Sequence, residues 1–272
     1  MKIFISADIE GVAGVVNAQQ GTPGNPEYER ARRLMTQEVN AAIAGAFDGG
    51  ATYVLVNDSH GPMENLIAEE LDARAECIIG RPKAMNMAAG LDGSFDGVFF
   101  TGYHSGAGRH GVLSHTVSGF AFLALRINGI DTAEATLYGA YAGSLGVPVA
   151  LLTGDDQLEE QCLGLFPGAV MVQVKAALGH RSARALSPEM ARARIRDGAR
   201  TAVRGLGSCV PYVIPGPCRL EADLASVAMA DLCGAIPGAE RTGPRGVAFE
   251  TAGIVQVQQW IAVMATMCGT LR

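Results

Sequence analysis

The sequence predicts an α/β fold, a mostly parallel sheet with helices on both faces, plus a smaller C-terminal α+β lobe. Three observations predict it. Short apolar runs alternate with helix-length stretches, the order that parallel strands joined by crossover helices require. The chain has 272 residues, of which 49% are hydrophobic and 18% charged, enough for a sizeable core. From about Ser187 onward the helical stretches lengthen and the strand signals weaken.

Each element has its own signal. Lys2–Ala7 is an apolar run of strand length, and Met1–Asp8 lacks the long apolar segment and small-residue cleavage site of a secretory leader. Pro26–Phe47 reads as a long helix: Asn25 can cap it, Pro26 suits its first turn and Gly49-Gly50 ends it. Thr52–Val56, Gly97–Tyr103 and Pro148–Thr153 read as strands, the last following a helix over Thr132–Leu145. Phe120–Ile130 ends in Asn128-Gly129, a tight-turn pair that marks a small antiparallel excursion. Arg219–Thr251 is assigned to the second lobe, with the division placed between residues 186 and 187.

Charge and cysteine usage narrow the function. With 21 basic and 27 acidic residues the net charge is −6, and no basic run offers a footprint for nucleic acid or an anionic membrane. No apolar stretch is long enough to span a bilayer. The six cysteines are scattered without a C-x-x-C pair, which fits reduced thiols in a cytoplasmic protein. A metal would therefore be held by histidine and carboxylate.

Three strand ends carry such residues. Ser6-Ala7-Asp8-Ile9-Glu10-Gly11 closes the first, Val56-Asn57-Asp58-Ser59-His60 the second and Thr101-Gly102-Tyr103-His104 the third. Sites in parallel sheets form at the carboxyl ends of strands, so these stretches deliver Asp, Glu, His and His to one rim. Asp8 and Glu10 are two apart and point the same way on an extended chain; a cation between them removes their repulsion. Asp58 is placed to orient the His60 imidazole through its second N–H. His115, among small polar residues, suits a proton donor, nucleophile or oxyanion stabiliser. His110 and His180 read as loop residues. Glu134 opens a helix, where capping and metal ligation look alike from spacing. Gly106–Gly111 matches G-x-G-x-x-G, but the stretch after it lacks the helix that dinucleotide binding needs. The mixed carboxylate and imidazole set suits zinc, and also manganese or cobalt. Five ligands exceed one open catalytic zinc and fit two metals, which together would activate a water and polarise a carbonyl.

The opening Ser6-Ala7-Asp8-Ile9-Glu10-Gly11 resembles the S-x-D-x-E-G signature of the DppA-type D-aminopeptidases. The resemblance continues through Tyr28-Glu29-Arg30, Val56–His60, Gly102-Tyr103-His104, Ser114-His115, Gly154-Asp155-Asp156 and Leu186-Ser187-Pro188, weakening after Val203. It implies a binuclear zinc peptidase that removes D-amino acids from the N-termini of short peptides; the division near Ser187 assigns residues 1–186 as the metal-binding catalytic domain. By matching motif, Asp8 would bridge two Zn2+; Glu10 and His104 would complete one site and His60 the other. Glu134 would be the fifth ligand and His115 the catalytic residue. Ring-shaped homo-oligomers, decamers among them, are a further implication. One departure stands out: Val15–Gly24, rich in Gly, Pro and Gln, differs from the family pattern and would alter substrate choice if it borders the site. The alternatives at the same residues are a metal-dependent phosphatase, with Asp8 as nucleophile, or another amide hydrolase.

Overall fold

The computed structural model describes all residues from Met1 to Arg272. Strands β1 (Lys2–Ala7), β2 (Tyr53–Asp58), β3 (Glu76–Ile78) and β4 (Gly97–Thr101) come first, with helix α1 (Pro26–Gly49) between β1 and β2. Next are β5 (Phe122–Ile127), β6 (Ile130–Asp131), α2 (Glu134–Ser144), β7 (Val149–Asp155), α3 (Asp156–Cys162), β8 (Val170–Gly179) and β9 (Ser182–Ala185). The chain ends with α4 (Pro188–Arg204), β10 (Cys218–Leu224), α5 (Val227–Gly234), β11 (Glu240–Arg241), β12 (Gly246–Thr251) and α6 (Ile254–Gly269).

Seven strands form the main sheet in the order β3-β2-β1-β4-β7-β8-β9, parallel throughout except for β9, which returns antiparallel beside β8. Strands β1, β4 and β7 lie in its middle and are buried almost throughout, as strands covered on both faces must be. A five-stranded antiparallel sheet, β11-β12-β10-β5-β6, makes the second layer. Asn128 and Gly129 both have positive φ, 54° and 78°, so the β5–β6 turn is the tight left-handed kind that the sequence signals.

The hydrophobic interior has two parts. One cluster of 30 buried residues lies between the main sheet and the α1/α4 face. The other, of 41, joins the opposite face to α2, α5, α6 and the antiparallel sheet. Helix α1 starts where expected, with the Asn25 side chain accepting from the Glu27 amide at 3.0 Å, and ends at Gly50 with φ 109°.

The division at residue 187 does not follow this architecture. Helix α4 packs on α1 as part of the first layer, and β5 and β6 pair within the antiparallel sheet through β10. The sequence signal is local, while strand partnership is set by pairs about 100 residues apart.

Candidate metal centre

The carboxyl ends of β1, β2 and β4 lie side by side, because β1 pairs with β2 on one flank and β4 on the other. Asp8 and Glu10 follow β1, His60 follows β2 and His104 follows β4. The Gly11 amide donates to the Gly102 carbonyl at 2.7 Å. A β-carbon at Gly11 would stand 1.9 Å from the Tyr103 carbonyl oxygen, so only glycine lets these two strand ends close together. Glu134, the first residue of α2, comes in from the side.

The expected site residues converge. His60 Nδ1 lies 3.3 Å from Asp8 Oδ1 and 2.9 Å from Glu10 Oε2. On the other side of Asp8, His104 Nε2 lies 3.5 Å from Asp8 Oδ2 and 3.6 Å from Glu134 Oε2. Asp8 thus presents one oxygen to each histidine. Glu10 falls with His60 and His104 with Glu134, whereas the resemblance implied Glu10 with His104. Glu10 also reaches toward His104 in a third grouping that includes His115. His115 stacks on His104 with ring centroids 4.2 Å apart, and its Nε2 is 3.9 Å from both Glu10 Oε1 and Glu134 Oε1.

Hydrogen bonds outside the cluster fix which ring nitrogen faces it. His60 Nε2 donates to the Gly21 carbonyl at 2.8 Å, His104 Nδ1 to the Ser105 carbonyl at 2.9 Å and His115 Nδ1 to the Leu113 carbonyl at 2.8 Å. A carbonyl only accepts, so each of these nitrogens carries a proton. In the neutral imidazoles the inward nitrogen is then a bare lone pair, aimed at carboxylate oxygens that are also acceptors. Asp8 Oδ2, Glu10 Oε2 and His104 Nε2 are buried without a hydrogen-bond partner. Acceptors converging without a donor form a cation site.

Without a metal, protons do the compensating. Burial and then the Glu10 charge push the Asp8 carboxyl up to about 8. For Glu10, burial acts upward but the His60 charge outweighs it and holds the carboxyl well below its usual range. Burial would lower His104, yet Glu134 beside it raises the imidazole to about 10. His115 is lowered, by burial and by the His104 charge.

The cap reading of Glu134 does not hold. Its Oε1 accepts from the Val117 amide at 2.6 Å, and Thr136 Oγ1 takes the Ala133 amide instead. Asp58 does not orient His60: its carboxylate takes the Leu66 amide at 2.7 Å and the Asn65 amide and side chain. The His60 loop is held instead by Asn65, which donates to the His60 carbonyl at 2.7 Å and accepts from the Tyr28 hydroxyl at 2.8 Å. The Val15–Gly24 stretch does border the site, through Gly21; a β-carbon there would meet His60 Nε2 at 2.8 Å. His110 and His180 are exposed, and no helix follows Gly106–Gly111.

One supporting residue was missed. Lys175, buried in β8, donates through Nζ to the carbonyls of Glu10, Val12 at 3.1 Å and Val15 at 2.6 Å, gathering the loop that carries Glu10. Burial lowers its ammonium to about 8. Its only sequence signal was a lysine in the mostly apolar stretch Val170–Ala177, which also holds Gln173.

The comparisons with known proteins agree with this geometry. The family described as D-aminopeptidase matches residues 1–263. A D-aminopeptidase of Bacillus subtilis (strain 168) is 34% identical over 268 residues, 98% of this chain and 97% of the relative. The solved structure of the Zn-dependent D-aminopeptidase DppA from Bacillus subtilis, described as a self-compartmentalizing protease, superposes with a TM-score of 0.95 at 33% identity, covering 99% of this chain and 98% of the other. The acceptor-only pocket at the sheet rim and the match along nearly the whole length lead to one conclusion: this chain belongs to the D-aminopeptidase family.

Proposed function

We propose that this protein is a zinc metallopeptidase that releases D-amino acids from the N-termini of short peptides, with Asp8, Glu10, His60, His104 and Glu134 holding two zinc ions. The observation that carries the metal is the convergence of lone pairs: three carboxylates and two inward imidazole nitrogens, with no donor among them. One divalent cation would leave the three carboxylates a residual charge of −1; a second reverses it. Asp8, with one oxygen facing His60 and the other facing His104, would contribute a ligand on both sides.

Bound zinc would supply a Lewis acid for the scissile carbonyl and lower the pKa of a water. The chain's own residues do the rest. His115 Nδ1–H is committed to Leu113, so its Nε2 is the free base at the site. It takes the proton of the attacking water and passes it to the leaving amine as the amide C–N bond breaks. Glu10 and Glu134 lie close enough to stabilise the imidazolium in between. The backbone carbonyls behind the three histidines keep the rings oriented through the cycle. A phosphatase using Asp8 as nucleophile fits less well, because both Asp8 oxygens face histidines.

Two further readings accompany this one. The chain forms a homo-oligomer of the enclosing kind attributed to DppA, a decameric ring in our reading. It is cytoplasmic, with six cysteines that form no disulfide; no helix is long and apolar enough to cross a membrane. The test is elemental analysis of the purified protein together with hydrolysis of D-alanyl peptides. About two zincs per chain and chelator-sensitive release of D-alanine are expected. Zinc without D-alanine release would discard the substrate, and a protein that takes up no metal would discard the centre.

A further inference from the structure

Asp8, Glu10, His60, His115 and Glu134 line a cavity of about 670 Å³, large enough for a short peptide. Asp8, Glu10 and Glu134 are its only carboxylate side chains, and all three are engaged with histidines. Its walls carry two cations that these acids do not neutralise, Arg81 and Arg272. Neither has a carboxylate partner, unlike Arg126, Arg219 and Arg241 elsewhere on the surface. Both are nonetheless held. Arg81 Nη1 donates to the Gly61 carbonyl at 3.1 Å, one residue beyond His60. The Arg272 guanidinium lies 4.8 Å from the centre of the Phe120 ring, which also lines the cavity. A guanidinium has five N–H donors, and one contact to a carbonyl or a ring face leaves most of them open.

We infer that Arg81 and Arg272 form a subsite for the C-terminal carboxylate of the substrate, making this a peptidase for short peptides with a free acid end. This rests on the peptidase reading above and adds a second anchor to it. The scissile amide is taken by the metal centre, and the carboxylate by the two arginines. Met63, Met87, Val117, Ala262 and Ala265 add an apolar lining for small side chains. Guanidinium is the group that binds a carboxylate through two parallel hydrogen bonds, and a neutral C-terminal amide forfeits the charge assistance.

The test measures binding and turnover separately on the zinc-loaded protein. The binding probe is the reduced-bond isostere of D-alanyl-D-alanine, with CH2–NH in place of the amide, as free acid and as C-terminal amide. The wild type should bind the acid about tenfold or more tightly than the amide, as expected for a charged hydrogen-bonded pair. In Arg81→Gln the ratio should fall toward one, and Arg272→Gln should lower it independently. The ratio is internal to each variant, so a general loss of fold would weaken both ligands alike and leave it unchanged. Equal binding of acid and amide by the wild type, or a ratio untouched in two variants that bind the acid as tightly as the wild type, would overturn the subsite. Acid-selective binding without hydrolysis of D-alanyl-D-alanine would instead sink the peptidase reading and leave the subsite standing.

Discussion

His115 is the one site histidine whose ionisation moves downward. Stacked on His104 and half-buried, it is held below the usual imidazole range, whereas the carboxylates facing His60 and His104 raise theirs. Replacing it by alanine should lower turnover by about 100-fold or more, the usual cost of losing a general base. Zinc content should stay near that of the wild type, since His115 is not among the five proposed ligands; a variant with normal turnover would remove His115 from the chemistry. Glu38 is a second residue whose surroundings define its behaviour. Buried in α1, it accepts from the Ala13 amide at 2.9 Å while its other oxygen has no partner, and burial raises its carboxyl to about 7. A raised carboxyl means that the folded state holds a proton the unfolded chain releases, so stability falls as pH rises from about 4.5 to about 7. Glu38→Gln keeps the acceptor and removes the titration. Its advantage in urea unfolding should grow across that window, to no more than about 3 kcal/mol, and level off above it. An advantage independent of pH would show that Glu38 ionises freely in the fold.

Among the elements, β1 does the most for the site, and it was also the most legible. An apolar run ending in Asp8-Ile9-Glu10-Gly11 announces both its burial and its cargo, as do the ends of β2 and β4. What the sequence hides is how tightly those ends approach one another. Gly11 sits against the Gly102-Tyr103 backbone with no room for a methyl group. Gly11→Ala should therefore part the β1 and β4 ends, lowering the melting temperature by several degrees and reducing zinc retention; an unchanged melting curve would mean that the loop shifts at little cost. The contributions of Lys175 and Asn65 were illegible for the same reason as the Asp58 partnership. Each depends on carbonyls or amides supplied by another loop, and for Lys175 that loop is about 160 residues away. The role of Glu134 was ambiguous in sequence because a helix N-terminus suits a carboxylate whether or not a metal is near.

On the scale of the whole molecule, the sequence revealed the parallel layer and misplaced its border. Helix α4 reads as the start of something new because a long helix follows the β8–β9 hairpin, but its apolar residues Ala191, Ile195, Ala199 and Ala202 belong to the α1 face. Strands β5 and β6 read as an excursion because their partner β10 lies far along the chain. The centre of the main sheet has a further consequence. The loops that leave its three adjacent strands β2, β1 and β4 each carry a residue of the proposed cage, so a divalent cation bound there would be a rivet joining the carboxyl ends of those strands at the rim of the sheet. Amide hydrogen exchange should reveal this. Chelation should speed the slowest-exchanging amides, those of Ile3–Ala7 and their partners, by lowering the free-energy cost of opening the sheet itself; acceleration limited to loops such as Gly106–Gly111 would mean that the sheet holds without its rivet.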